Sequence, residues 1–179
     1  IIRSAGVFFT SSYVREKNRF FYGAKVIPNR GAWLEFETDA NNVIWVKIDR
    51  KRKVAATSLL RAFGISSDEE IKKLFVEIDS HPDIKYIDAT LAKDVAQNQS
   101  EGLMEVYKRI RPGDLATPEN AKSLIFAMFF NFERYDFGQV GRYKMNQRFG
   151  NEYQLIEEHR VLKVDDLVAV IKEIILLSI

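Results

Sequence analysis

The sequence predicts an α+β fold, with an N-terminal antiparallel β-sheet built of hairpins over residues 1–54 and a cluster of about six α-helices over 55–179. Three observations predict it. The first third is rich in aromatic and β-branched residues that alternate with polar ones. From Ala55 onward the apolar residues recur at helical spacing instead. The chain has 179 residues, 46% of them hydrophobic and 29% charged, which suits one domain with a sizeable core.

The strands come first. AGVFFTS, RFFYGAKVI, WLEFETD and NVIWVKID each carry the two-residue period. Pro28-Asn29-Arg30-Gly31 supplies one turn, and Asp39-Ala40-Asn41-Asn42 closes a hairpin. The alternation turns Leu34 and Phe36 inward and leaves Trp33, Glu35 and Glu37 on the other face. In the next strand Ile44, Val46 and Ile48 face in, while Trp45, Lys47 and Asp49 face out. Two tryptophans thus fall on the polar side, although large aromatics are usually well buried.

The helices follow. VAATSLLRAFG reads as an apolar helical segment. Ser67 and Glu70 stand three apart, as in a capping box, before IKKLFVEI. Ile84 to Lys93 forms a short helix. Ser100 caps the next, with Leu103, Val106, Tyr107 and Ile110 on one face. RPGD breaks the chain, and Thr117-Pro118-Glu119 starts another helix with Leu124, Ile125, Met128 and Phe129 as its buried stripe. A further helix spans Gly138–Phe149, and Asp165 caps the last. Its apolar run is too short and too charged to cross a membrane.

Charge is distributed unevenly. Residues 1–63 hold 12 Lys/Arg against 5 Asp/Glu, a net of +7, whereas the remainder holds 15 against 20, a net of −5. A basic first third suits a polyanion, and it equally suits a charge cancelled by other parts of a longer chain. The chain opens Ile-Ile-Arg without an initiator Met and ends inside a helical pattern. Both ends read as cut, which predicts an excised piece of a longer, cytoplasmic protein.

The usual catalytic signatures are missing. There are no cysteines, and His81 and His159 lie far apart, so neither a disulfide framework nor a zinc site is expected. His81 reads as a turn residue and His159 as a surface residue. The sequence has no Gly-rich phosphate loop, nucleophile elbow or metal-binding His/Glu helix. The neighbouring acids Glu157-Glu158 and Asp165-Asp166 diverge on a helix. No catalytic residue and no metal ligand is assigned.

Basic residues interleaved with flat side chains are the better candidates. Arg50-Lys51-Arg52-Lys53 follows an outward-facing Asp49, Arg30 lies near Trp33, and VGRYKMNQRFG places Arg142, Lys144 and Arg148 on one helix. This mixture grips phosphates and stacks on unpaired bases. Taken singly, each position also fits a solvated helix face or a contact with a neighbouring domain.

RSAGVFF, IPNRGAWLEFE, VKIDRKRKVAATSLLRAFG, RPGDLATPENA and RYDFGQVGRYKMNQRFG resemble, in that order, motifs of the bacterial DNA-directed RNA polymerase beta subunit. The resemblance covers essentially the whole chain and points to the lobe domain. The chain departs from the family's pattern at Ile1-Ile2, at Ala5 and at Gly113-Asp114-Leu115-Ala116-Thr117. The resemblance implies one jaw of the cleft that holds downstream DNA in a nucleotidyltransferase. It implies a DNA-binding set of Arg3, Trp33 and Asp49 at an unpaired non-template base, with Arg111 on the same strand. Arg50, Lys51, Arg52, Arg134 and Arg142 join that set as cationic positions. It further implies beta-prime, alpha and sigma subunits and the rest of beta as partners, with the catalytic magnesium bound by another subunit and no cofactor here. A protein-interaction module that docks transcription factors and a free-standing nucleic-acid-binding domain are the alternatives.

Overall fold

The computed structural model describes residues 4–81 and 84–178. Five antiparallel strands form a simple meander in the order β1-β2-β3-β4-β5. They are β1 Gly6–Val14, β2 Arg19–Ile27, β3 Leu34–Thr38, β4 Ile44–Ile48 and β5 Val54–Ala55. The alternation holds residue by residue. Leu34, Phe36, Ile44, Val46 and Ile48 are all buried, while Trp33, Glu35, Trp45 and Lys47 are half-exposed on the other face. The Asp39–Asn42 turn forms as expected, with the Asp39 carboxylate accepting from the Asn41 and Val43 amides at 2.9 Å each. β5 is an addition: Val54, at the expected end of the β part, and Ala55, expected to open the helical part, pair with Val46 and Trp45.

Seven α-helices follow among the described residues, against about six expected. They are α1 Ala56–Ala62, α2 Asp68–Phe75, α3 Tyr86–Lys93, α4 Gln99–Ile110, α5 Pro118–Phe130, α6 Gly138–Phe149 and α7 Val164–Leu177. Helices α6, α7 and α3 pack on β1, β2 and β4 respectively. Together with α1 they bury the inward face, whereas Trp33, Glu35, Trp45 and Lys47 on the outward face stay half-exposed.

The caps correct two expectations. Asn98, rather than Ser100, caps α4 by accepting from the Glu101 amide at 3.0 Å. Asp165 does not cap α7; the neighbouring Asp166 accepts from the Lys163 amide at 2.9 Å. Ser67 and Thr117 cap α2 and α5 as expected, accepting from the Glu70 and Asn120 amides at 3.2 Å each. In α5 the fully buried residues are Ala121, Ile125 and Phe129, with Leu124 and Met128 at the margin. Gly102 lets α4 approach α1: a Cβ there would lie 2.7 Å from the Arg61 Cβ and 2.8 Å from the Ser58 carbonyl oxygen.

Three arginine–carboxylate clusters tie the helices together. Asp94 accepts from Thr57 and Ser58 at 2.6 Å each and from Arg61 at 3.1 Å. Arg160 binds Asp136 with two contacts of 2.9 Å. Arg142 is the third centre. Its guanidinium meets both oxygens of Asp166 at 2.8 and 3.0 Å, donates to the Val161 carbonyl at 2.9 Å and also to that of His159.

Candidate nucleic-acid interface

The basic run occupies the β4–β5 turn. Asp49 and Arg50 are its central residues, with φ of +53° and +60°. The Lys51 amide closes the turn on the Ile48 carbonyl at 3.0 Å. Positive φ at both central positions is the primed turn that matches the twist of a hairpin. Glycine usually fills its second position, and a left-handed conformation costs an ordinary residue about 1–2 kcal/mol. Asp49 tolerates it better than Arg50. Arg50, Lys51, Arg52 and Lys53 are all exposed, and the buried Ile48 and Val54 hold the two ends of the loop.

Trp33 is tied into this turn. Its carbonyl accepts from the Asp49 amide at 2.9 Å, and the Arg50 guanidinium lies over its ring, 5.5 Å from the centroid. The pairing register draws Lys25, Glu35 and Lys47 into one row across the outward face. With Trp33 and Arg50 they line a groove of about 230 Å³. Trp45 has a different explanation. Its indole donates to Asp39 at 2.8 Å and lies under Lys53 at 4.7 Å, so it braces the sheet.

Two more predicted residues reach the same end of the sheet. Arg109 of α4 donates to the Lys53 carbonyl at 3.3 Å, which brings the helix end carrying exposed Arg111 beside the turn. Gly31 packs against the 131–136 segment that carries exposed Arg134: a Cβ at Gly31 would lie 3.0 Å from the Arg134 carbonyl. Arg30 is held by the Phe132 and Glu133 carbonyls at 2.5 and 3.0 Å, so it braces that segment. Arg3 lies outside the described residues.

Arg142 must be removed from the DNA-binding set. It is 0% exposed, and its guanidinium makes four hydrogen bonds inside the fold. Arg142 and Lys144 share a helix but stand two apart and face different ways; the exposed side of α6 carries Tyr143, Lys144 and Arg148. Lys25 and Lys47 were not singled out. Alternation marks Lys47 as outward, but only the register puts Lys25 two strands away in the same row.

The site is an exposed surface of cations beside a half-exposed indole. Among the described residues no three His, Asp or Glu side chains converge on a possible metal position, so no chemical step is assigned to a metal here. None of the described helices is long and apolar enough to cross a membrane. The fold and this surface define an α+β domain that presents charge and a flat ring from the end of a sheet.

The chain belongs to the family described as RNA polymerase Rpb2, domain 2, whose model matches residues 6–179. It is 46% identical over 158 residues to the DNA-directed RNA polymerase subunit beta of Staphylococcus carnosus, covering 88% of this chain. It is 42% identical over 179 residues to the subunit of the same name from Dehalococcoides mccartyi strain BAV1, covering 99% of this chain. The chain spans 13% and 14% of the length of those relatives. The resemblance to the bacterial beta subunit, and the α+β class with its sheet first, are both borne out.

Proposed function

We propose that the domain is the lobe of an RNA polymerase beta subunit and forms one jaw of the cleft around downstream DNA. The observation that carries this reading is the β4–β5 turn, which holds Arg50, Lys51 and Arg52 exposed and fixed beside Trp33. Cations on such a turn neutralise successive phosphates without reading sequence. The half-exposed indole offers a flat face to an unpaired non-template base, and exposed Asp49 offers acceptors to the base edge. Arg111 and Arg134 extend the cationic rim. Arg3 is carried in this proposal by the family motif alone. The partners in this reading are beta-prime, alpha, sigma and the rest of beta, in a cytoplasmic enzyme whose magnesium is held by another subunit.

The test is the salt dependence of open-complex stability in the parent polymerase. Changing Arg50, Lys51 and Arg52 together to Ala should weaken the complex similarly across promoters. Each lost phosphate contact should flatten the slope of log K against log salt by about one unit. An unchanged slope removes the phosphate contact, and with it this reading of the turn.

A further inference from the structure

β1 and β2 are longer than the sheet they belong to. They pair along nine residues each, from Gly6↔Ile27 to Val14↔Arg19, while β3 covers only Gly23–Val26 of β2. The last four pairs therefore project as a two-stranded ribbon. The ribbon is braced along its length against the end of β3 and the β3–β4 turn: in its outermost pair, Arg19 donates to the Ala40 carbonyl at 3.2 Å and to the Asn42 side chain at 2.8 Å. The Tyr22 amide donates to Thr38 at 3.0 Å. At the tip, Tyr13 and Phe20 meet edge to face with centroids 5.2 Å apart, and the Tyr13 hydroxyl bonds Asn18. Each ring is nonetheless 50% exposed. The loop between them carries exposed Arg15 and Lys17 against a single acid, Glu16.

A braced ribbon with two half-exposed rings and a loop of net positive charge has the chemistry of a single-stranded nucleic-acid contact. Rings stack on bases of any sequence, and cations track the backbone. We infer that the β1–β2 tip is a second contact for single-stranded nucleic acid, with Tyr13 and Phe20 as the stacking surface and Arg15 and Lys17 on the phosphates. This site is separate from the Trp33 turn. The tip lies at the β3–β4 end of the sheet and the basic turn at the other. From the Leu34 level to Arg19 is seven residues of β2, about 24 Å at about 3.4 Å per residue. Sites so far apart act additively.

The experiment measures anisotropy of labelled dT12 and of an abasic strand of equal length, titrated with the 179-residue chain at low salt. Tyr13→Leu with Phe20→Leu should weaken dT12 binding at least about fivefold, the low end of one base–aromatic stack, and leave the abasic strand unaffected. Arg15→Gln with Lys17→Gln, confined to an exposed loop, should weaken both strands alike and flatten the salt slope by about 1.4 units, at about 0.7 per contact on a single strand. The same changes made beside Arg50→Ala, Lys51→Ala and Arg52→Ala should give the same fold losses, which separates failure of the tip from failure of the turn. Unchanged dT12 binding in the leucine variant overturns the inference. So does displacement of dT12 by polyglutamate of matched charge as readily as by unlabelled dT12, since the tip would then read charge alone and fit an acidic protein.

Discussion

The arginines of the β4–β5 turn and those of the helical half are the same residue type under opposite management. Arg50 and Arg52 stand exposed on a turn whose backbone is strained to hold them. Arg61 and Arg142 are 1% and 0% exposed, each locked to a carboxylate. In the first region charge faces outward and the fold carries the cost; in the second, charge is consumed by the fold itself. A guanidinium therefore indicates a ligand only where no carboxylate meets it. Most of the +7 of residues 1–63 stays visible at the surface, Arg61 excepted, and one of its five acids is turned to the fold: Asp39 serves the Asn41, Val43 and Trp45 donors.

The comparison breaks most visibly at Arg142. Arg142→Ala leaves Asp166 buried without its partner and should cost about 3–5 kcal/mol of stability, read from urea unfolding. The triple alanine variant of Arg50, Lys51 and Arg52 should shift the same curve by less than about 1 kcal/mol, as exposed positions do. Equal losses in the two experiments would erase the distinction.

Trp33 should behave with the turn. Trp33→Ala should weaken the hold of the parent polymerase on an unpaired base by about 1–3 kcal/mol, read from open-complex lifetime. Its melting temperature should change little, because the ring sits at the sheet surface and not in the core. Loss of a packed indole would instead cost about 3–5 kcal/mol of stability.

A smaller effect sharpens the strain argument. Arg50→Gly relieves the left-handed backbone but gives up the contact over Trp33, itself worth about 0.5–1 kcal/mol at an exposed site. The two nearly offset, and stability should rise by no more than about 1 kcal/mol while DNA binding weakens. A clear loss of stability would show that the turn is not strained at Arg50.

The smallest effect is one of pH. Burial pushes the Asp136 carboxyl up, but Arg160 and the Gly138 amide outweigh it and hold the group below its ordinary 3.8. Burial likewise raises Asp39, and the Trp45, Val43 and Asn41 donors outweigh it. A carboxyl lowered by folding gives stability that is complete above its unfolded value and is lost as pH falls through the folded one. Unfolding midpoints should therefore hold steady above about pH 5 and decline below about pH 4. Asp136→Asn should flatten that acid limb.

Much of the sheet was legible because its period of two is strict. The alternation placed Trp33, Leu34, Phe36, Trp45 and Asp49 on the faces where they lie. The bounds of α6 could be read directly, since Gly138 and Gly150 bracket it with φ of +74° and +72°. β5 could not be, because two apolar residues running into a helix look the same whether or not they pair. The caps of α4 and α7 slipped because several acceptors stand within two residues of each helix start. Arg142 was illegible for a deeper reason: its partner Asp166 is 24 positions away, and periodicity says nothing of pairing at that range. For the same reason the row of Lys25, Glu35 and Lys47 needed the register, which three separated strand patterns leave open.

The short span between Ile48 and Val54 also has a meaning in time. Amide protons report how often a segment opens, and exposed loops ordinarily exchange quickly. Here the Asp49 and Lys51 amides are bonded to Trp33 and Ile48. Helix α1 begins directly after β5 and is pinned through Thr57 and Ser58 to Asp94. These bonds hold both ends of the turn's backbone, so the two amides should exchange more slowly than those of an unbonded exposed loop. In the proposed jaw, a strand of DNA arriving at the turn would meet a backbone already in position.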